Sequence, residues 1–391
     1  MSNVYFTPYG VGLGHASRLV TIAKSIQDKE TKVKFSSFGE AAEFVTRSGY
    51  RCSNVPPVEF SWNMQGSFSF KNSLSNIPIW FNNFLFQVVK EIENIIKFAP
   101  NVVVSDSRLS PIVSAKLLGI PSIVILNQIR ILLSPRLHSF RIARLFEDIN
   151  AEFIGNLWSL SDQILVPDLP PPYTISENNT WNTASVRKKL KYIGFISPHY
   201  QVSNTQLEKA LSLLQFSKSK PIVFFHISGP LYTRIPVIKK ILQGKELFDK
   251  HFQFIISEGN PNGKVVPLHI SKNGWYYEWC PIRDELFALS NILVIRGGHT
   301  AISQAIQFGK PIISIPIENH AEQLNNSNKI SKIGIGTTID NKEITPEKIV
   351  CEINKILANR TYFNKMDEIM KVSNKLNGIE NVVDIVRSYI R

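Results

Sequence analysis

The stretch that decides the fold is residues 295–336, IRGGHTAISQAIQFGKPIISIPIENHAEQLNNSNKISKIGIG. An apolar run, residues 292–295, stops at Gly297-Gly298, and a helical pattern follows from His299 to Phe308. A strand, a glycine turn and a helix N-terminus in succession leave unpaired backbone N–H groups that suit an anion, usually a phosphate. The alternative interpretation is that the two glycines only make a tight turn.

A second apolar run, residues 311–316, follows the helix and ends in a polar loop that carries Glu322 and Gln323. In a parallel sheet both loops open at the same edge, where such sheets bind ligands. One pocket can therefore hold phosphate and hydroxyl groups together, which favours a ligand site over a plain turn.

The composition is that of a soluble globular enzyme. The 391 residues fit two domains, 43% of them are hydrophobic and 19% are charged. With 44 basic and 31 acidic residues the net charge is +13, which favours an anionic partner: nucleic acid, a phosphorylated substrate or an acidic membrane surface.

The cysteines and the termini indicate a cytoplasmic protein. Cys52, Cys280 and Cys351 are far apart and predict neither a disulfide framework nor a zinc site. The N-terminus lacks the features of a signal peptide. The longest uncharged run, residues 72–89, contains a proline and many polar residues and is not predicted to cross a membrane.

The first strand, residues 3–7, leads into the glycine-rich loop GVGLGH and a helix over residues 16–26. The third glycine, Gly14, comes one residue too early for a dinucleotide fingerprint. The loop places His15 at a helix N-terminus, which disfavours extra positive charge and suits a neutral general base. A capping or packing histidine is the alternative.

A second polar candidate follows a later strand. Residues 101–105 predict a buried strand, and Asp106 then lies at the same sheet edge as His15. A contact in which the carboxylate holds the imidazole tautomer is therefore plausible. An N-cap of the next helix is the competing role for Asp106.

Two further segments of the first half admit two interpretations each. The aromatic segment can line an apolar acceptor site or enter a lipid surface, or its side chains can be core; it consists of Phe60, Trp62, Met64, Phe68, Phe70, Trp80, Phe81, Phe84 and Phe86. The basic segment can bind anionic lipid or phosphate or be a solvated helix face, and consists of Arg108, Lys116, Arg130, Arg136, Arg141 and Arg144.

A second α/β pattern begins after a boundary near residues 196–204, so we predict domains at residues 1–198 and 199–391, with a last helix that can pack back on the first domain. Strands are predicted at residues 221–227, 252–257 and 265–266, and a helix at 284–288. The loop before that helix carries aromatic side chains that can flank a base or pack in the core, namely Trp275, Tyr276, Tyr277 and Trp279.

These motifs together resemble the GT-B glycosyltransferases, which use nucleotide sugars and include macrolide and plant glucosyltransferases and the bacterial lipid-linked GlcNAc transferase of peptidoglycan synthesis. The resemblance spans nearly the whole chain and rests on GVGLGHASR, RGGHTAISQA, FGKP and HAEQLNN. It implies an α/β fold with two Rossmann-like domains that face each other across a cleft.

The resemblance also implies roles for individual residues. His15 would deprotonate the acceptor hydroxyl, with Asp106 as its partner. The donor would be bound by Gly14, Ser228, Gly229, Trp279, Arg296, Gly297, Gly298, His299, Thr300, Gln304, Glu322 and Gln323. Gln304 replaces the usual ribose-binding Glu, and Arg296 replaces the His of many plant members, so UDP is expected from family frequency alone.

The expected reaction is inverting, metal-independent transfer of a hexose or N-acetylhexosamine from a nucleotide sugar to a hydroxyl acceptor, with a lipid-linked acceptor preferred. No cofactor is expected besides the nucleotide sugar, and no nucleic-acid motif is present. We expect a cytoplasmic enzyme that can associate with an anionic membrane surface at the inner face of the cell membrane. A UDP-sugar epimerase of the same fold and a non-catalytic two-domain small-ligand-binding protein are the alternatives.

Overall fold

The computed structural model describes residues 2–58, 77–129, 141–178, 186–197, 202–217, 219–260 and 262–390. They form two compact units, each with its own seven-stranded sheet. The first unit comprises the described residues of Met1–Trp62, Phe68–Pro198 and Leu376–Arg391, and the second those of His199–Lys375.

The sheet of the first unit is parallel throughout. Its strands are β1 (Ser2–Pro8), β2 (Thr31–Ser37), β3 (Cys52–Asn54), β4 (Val102–Asp106), β5 (Ser122–Ile125), β6 (Gln163–Val166) and β7 (Leu190–Tyr192). Their order is β3-β2-β1-β4-β5-β6-β7, so the strand order reverses between β1 and β4. Every residue of β4 is buried, as expected for a central strand covered on both faces.

Helices cover this sheet: α1 (Leu13–Ile26), α2 (Gly39–Arg47), α3 (Ile77–Phe98), α4 (Ser110–Leu117) and α5 (Arg141–Trp158). The apolar stripe of α1, which includes Leu19, Ile22 and Ile26, is buried in the core of the unit. Because α1 begins at Leu13, three residues before the predicted start, His15 lies in its first turn.

The strands of the second unit are β8 (Ile222–His226), β9 (Gln253–Ser257), β10 (Leu268–Ser271), β11 (Gly274–Tyr277), β12 (Ile292–Ile295), β13 (Ile312–Ser314) and β14 (Gly336–Thr338). Their order is β10-β11-β9-β8-β12-β13-β14, and the order reverses between β8 and β12. Only the β10–β11 pair among these strands is antiparallel.

The helices of the second unit are α6 (Asn204–Leu213), α7 (Leu231–Gln243), α8 (Lys245–His251), α9 (Arg283–Leu289), α10 (His299–Gln307), α11 (Ala321–Ile333), α12 (Pro346–Ala358) and α13 (Arg360–Ser373). The last helix of the chain, α14 (Gly378–Ile390), belongs to the first unit. Its Val382 and Val386 join the core around α1, and Asn381 donates to the carbonyl of Ile193.

One strand prediction was wrong. Val265 and Val266 are exposed and lie outside any strand, whereas the neighbouring β10 and β11 form an antiparallel pair. Residues 275–277, which were assigned to a loop, therefore belong to a strand that pairs in parallel with β9.

Candidate functional site

His15 and Asp106 meet at the carboxyl edge of the first sheet. Nδ1 of His15 lies 2.7 Å from Oδ1 of Asp106, so the predicted contact between them is present. They follow β1 and end β4, the two strands between which the strand order reverses, and this is where open α/β sheets bind ligands. The Asp106 side chain is fully buried, and that of His15 is 22% exposed.

A third residue, Arg18, completes this cluster. Its Nε donates to Oδ2 of Asp106 at 2.8 Å and its Nη2 to Oδ1 at 2.9 Å, a bidentate arrangement. Burial would raise the pKa of Asp106, but Arg18 and then His15 outweigh it and lower that pKa to about 2. Asp106 is therefore an ionised acceptor at neutral pH.

The ionised carboxylate determines which nitrogen of His15 carries the hydrogen. Nδ1 of His15 lies 2.7 Å from the Asp106 carboxylate and 3.0 Å from Nη2 of Arg18. A carboxylate only accepts hydrogen bonds, so Nδ1 is the donor in the shorter of these contacts. In the neutral imidazole Nε2 is then the acceptor, and it makes no hydrogen bond to any residue within the described ranges. His15 is thus set up to take a proton at Nε2.

Arg18 was missed at the sequence level, although a signal existed. It follows His15 by three residues, so both side chains lie on one face of α1. Gly14 is half-buried in the first turn of the same helix, and no side chain caps that turn.

The second unit has two uncapped helix N-termini next to its own reversal of strand order. β8 is followed by Ser228, Gly229 and α7, and β12 is followed by residues 296–298 and α10. Neither α7 nor α10 has a side-chain cap, and the N-terminal turn of a helix presents N–H groups to a ligand. β8 and β12 are hydrogen-bonded neighbours, which brings the two loops to one edge.

Gly297 and Gly298 differ in their surroundings. A Cβ on Gly297 would overlap the carbonyl oxygen of Gln323 in α11, and the Gly297 carbonyl accepts from Nδ2 of Asn326 at 3.0 Å. A Cβ on Gly298 would have nothing within 4 Å. The first glycine therefore allows close packing on α11, and the second leaves backbone open at the start of α10.

Arg296 is a buried cation, and no carboxylate among the described residues forms an ion pair with it. It is 3% exposed, and its buried Nε and Nη1 have no hydrogen-bond partner among the described residues. Burial lowers the pKa of Arg296 to about 10, so the group is still charged at neutral pH. A buried charge of this kind is costly unless an anion accompanies it.

The remaining residues of this region that were predicted to bind the nucleotide sugar lie on α10 and α11. His299 and Gln304 are buried on α10, and Thr300 is half-buried there. Glu322 and Gln323 lie half-buried in the first turn of α11, and Oε1 of Gln323 accepts from the Ile317 amide at 2.9 Å. That bond uses one of the two lone pairs of Oε1, and the side-chain nitrogen of Gln323 makes no hydrogen bond within the described residues.

The aromatic loop is smaller than predicted. Trp275 and Tyr277 both belong to β11. Tyr277 is buried, and Nε1 of Trp275 donates to the Leu214 carbonyl. Tyr276, in the same strand, bonds to Glu258. Of the four aromatic residues, only half-buried Trp279 lies beyond the strand, where it can still flank a base.

The basic segment was partly misinterpreted. Arg108 is buried, and its Nη2 lies 2.6 Å from Oε1 of the fully buried Glu91. That carboxylate also accepts from Tyr5 and Ser36, so Arg108 anchors α3 to the sheet. Arg141 is exposed as predicted, whereas Arg130, Arg136 and the side chain of Arg144 lie outside the described residues.

The aromatic segment is likewise described only in part. Phe60, Trp62, Met64, Phe68 and Phe70 lie outside the described residues, whereas Phe81 and Phe86 are exposed on α3. Among the described residues, no helix is long and apolar enough to cross a membrane, and no group of three or more His, Cys, Asp or Glu side chains is arranged to hold a metal.

Comparison with known proteins identifies relatives of both units. Residues 234–382 match the glycosyltransferase family 28 C-terminal domain. A Methanosarcina mazei protein named as an uncharacterized glycosyltransferase is 27% identical over 382 residues, which cover 96% of each chain.

One further protein is similar in sequence to part of the chain, and another is similar in fold to nearly all of it. A Clostridium tetani protein named UDP-N-acetylglucosamine–N-acetylmuramyl-(pentapeptide) pyrophosphoryl-undecaprenol N-acetylglucosamine transferase is 27% identical over 188 residues, 46% of this chain and 50% of that one. The crystal structure of the Streptomyces sp. SF2575 glycosyltransferase SsfS6 with thymidine diphosphate has a TM-score of 0.65 at 16% identity, and covers 99% of this chain and 100% of that one.

The sheet topologies, the matched domain and the full-length relatives agree with one another. The chain is a glycosyltransferase of the GT-B fold, and its residues 234–382 match the glycosyltransferase family 28 C-terminal domain.

Proposed function

We propose that this glycosyltransferase transfers a hexose or N-acetylhexosamine from a UDP sugar to a hydroxyl acceptor, with inversion and without a metal. The observation that carries the proposal is the edge of the second sheet, where two uncapped helix N-termini and the buried Arg296 converge around the reversal of strand order. Backbone N–H groups and a cation at a sheet edge are a binding site for a diphosphate.

The donor site follows from these groups. We assign the diphosphate to the backbone at Gly298, His299 and Thr300, with the loop Ser228-Gly229 as the second contact. Trp279 flanks the base, Gln304 bonds to the ribose, and Glu322 and Gln323 bond to the sugar hydroxyls. UDP is proposed over TDP from family frequency, although SsfS6 was crystallised with thymidine diphosphate.

His15 acts on the acceptor. As the acceptor oxygen bonds to the anomeric carbon, its proton passes to Nε2 of His15, while the bond from that carbon to the diphosphate oxygen breaks. Asp106 holds the tautomer, and Arg18 holds Asp106. This single displacement inverts the configuration. The leaving group gains negative charge, which Arg296 and the helix N-termini stabilise without a metal.

We further propose that the acceptor is lipid-linked and that the enzyme works at the inner face of the cell membrane. The Clostridium tetani relative is named for transfer to a pyrophosphoryl-undecaprenol. In this chain, α5 exposes Leu145, Ile149 and Phe153 at a helical spacing that forms one stripe, and α3 exposes six large apolar side chains. Lys90, Lys97 and Arg141 are exposed on the same two helices, and so are Glu93, Asp148 and Glu152. Among the described side chains the charges of these helices therefore balance, and the proposal rests on the apolar side chains.

The decisive experiment supplies UDP, GDP, ADP and TDP sugars with a polyprenyl-diphosphate-linked sugar in detergent micelles. We expect UDP release that depends on the acceptor, persists with EDTA and is lost in His15→Ala. Sugar conversion without acceptor would instead indicate an epimerase. Release from none of the four donors would contradict the proposed function.

Membrane association is tested by flotation with vesicles that contain anionic lipid. The double variant Phe81→Ser/Phe153→Ser should float less than wild type, whereas Val266→Ser, an equally exposed apolar residue of the second unit, should not differ from wild type. Wild-type protein that remains unbound at low salt would refute this part of the proposal.

A further inference from the structure

A buried hydrogen-bond cluster lies behind the Ser228-Gly229 loop and was not predicted from the sequence. Nη2 of Arg234, in α7, lies 3.0 Å from Oε1 of Glu258, which directly follows β9. Both side chains are almost fully buried. The hydroxyl of Tyr276, in β11, donates to the other oxygen of Glu258.

This cluster reaches the loop through one bond. Nη1 of Arg234 donates to the carbonyl oxygen of Gly229 at 3.0 Å. Gly229 has a φ of 120°, which only glycine adopts readily, and the following Pro230 has no N–H. The turn is held at two carbonyl groups: that of Pro230 accepts from the amides of Thr233 and Arg234, and that of Gly229 accepts from the Arg234 side chain.

Arg234 is not suited to contact a phosphate directly. Glu258 neutralises the guanidinium, and the pair is inside the unit. Arg234 can instead act on a bound anion through the loop, because its hydrogen bond directs the carbonyl oxygen of Gly229 toward the guanidinium. An unbound carbonyl in this turn would be free to approach and repel a phosphate oxygen.

We propose that Arg234, Glu258 and Tyr276 are positioning residues that hold the Ser228-Gly229 loop in its diphosphate-binding conformation. This inference rests on the donor site proposed above and adds the residues that preorganise it. A loop fixed before binding loses less conformational entropy when the ligand arrives, so the cluster raises donor affinity.

Two adjacent tyrosines of β11 provide the test and its matched control. Tyr276→Phe removes the hydroxyl that bonds to Glu258. Tyr277→Phe removes a hydroxyl that is buried but has no hydrogen-bond partner in the described part of the chain. Both variants keep the aromatic ring, and Tyr276 and Tyr277 point to opposite faces of the sheet.

The measurements are calorimetric Kd values for UDP, GDP, ADP and TDP and for the matching nucleoside, which lacks phosphates. For the tightest diphosphate, we expect Tyr276→Phe to raise Kd about tenfold and to leave the Kd of the nucleoside unchanged. Hydrogen exchange should quicken at the amides of Thr233 and Arg234, which bond to the Pro230 carbonyl. Tyr277→Phe should change none of these values.

Equal diphosphate Kd values for the two variants would overturn the positioning role, as would an equal loss of nucleoside binding in Tyr276→Phe. If wild-type protein binds none of the four diphosphates, the proposed donor site fails and this role fails with it. Binding to wild type with no difference between the variants removes only the inference about the cluster.

Discussion

Gly297 lies so close to Gln323 that there is no room for a side chain between them. A Cβ at residue 297 would overlap the Gln323 carbonyl oxygen and lie 2.7 Å from Oγ of Ser327. Gly298, the next residue, has a φ of −72° and open space where its side chain would be. The two glycines of one motif therefore have separable roles, the first in folding and the second at the open backbone before α10.

Alanine at each glycine separates these roles. Gly297→Ala should reduce the free energy of unfolding by about 2 kcal/mol, because α11 must move away. Gly298→Ala should unfold like wild type but bind UDP at least tenfold more weakly, because its methyl group occupies space near the proposed phosphate. Urea denaturation and calorimetry measure the two effects. Equal stability of the two variants would contradict the assignment.

Replacing Arg296 should stabilise the free protein and weaken ligand binding. Arg296→Met removes a buried charge whose Nε and Nη1 are unpartnered within the described chain, so the unfolding free energy should rise by about 1 kcal/mol. The same variant should lose most of the thermal stabilisation that UDP gives to wild type. Thermal unfolding with and without 1 mM UDP, a concentration of about 1,000 times a micromolar Kd, measures both. If ligand-free Arg296→Met is less stable than wild type, Arg296 is not an uncompensated charge in the ligand-free protein.

Removing His15 should affect transfer and not donor binding. His15→Ala should lower kcat by about 10²- to 10⁴-fold, the usual contribution of a general base. The Kd for UDP should stay within about twofold of wild type, a change of less than 0.5 kcal/mol. Asp106 keeps both bonds from Arg18 in this variant, so the stability of the unit should change little. Retained turnover would remove His15 from the mechanism.

His226 should make the second unit acid-sensitive. Burial, with a smaller effect of Arg283, lowers the pKa of His226 from its ordinary value of 6.5 to about 3. Below pH 6.5 the imidazole of His226 therefore binds a proton in the unfolded chain but stays neutral in the folded chain. The free energy of unfolding decreases as the pH falls toward 3. Between pH 7 and pH 5 this amounts to about 2 kcal/mol.

The control for that prediction is His226→Phe, which keeps an aromatic ring beside Phe224 and Phe287. Its stability should fall less over the same pH interval, as measured by urea denaturation at pH 7 and pH 5. Burial also lowers the pKa of His320, but that residue contributes equally to both proteins. Parallel pH profiles for the two proteins would refute the role of His226.

The sequence predicted the parts of the site that depend on strand ends. His15 and Asp106 follow apolar runs, and the carboxyl ends of parallel strands share an edge, so their contact could be expected before β1 and β4 were known to be neighbours. The Gly297-Gly298 turn was predicted for the same reason. Both predictions needed only local patterns and the direction of the strands.

The parts that the sequence did not predict depend on partners distant in the chain. Arg108 was interpreted as part of a basic surface because Glu91, its partner, lies 17 residues earlier on a helix whose limits were not recognised. The Arg234–Glu258 pair is likewise set by strand order. Trp275 and Tyr277 were assigned to a loop because a strand of four residues shows too little alternation to be recognised.

The central claim is that a nucleoside diphosphate binds to the first turn of α10, and backbone amide NMR of the deuterated protein tests it most directly. On addition of UDP, we predict that the amide signals of Gly298, His299 and Thr300 shift most, with those of Ser228 and Gly229 next. Unchanged signals at these five residues, while UDP shifts others or none, would contradict the account.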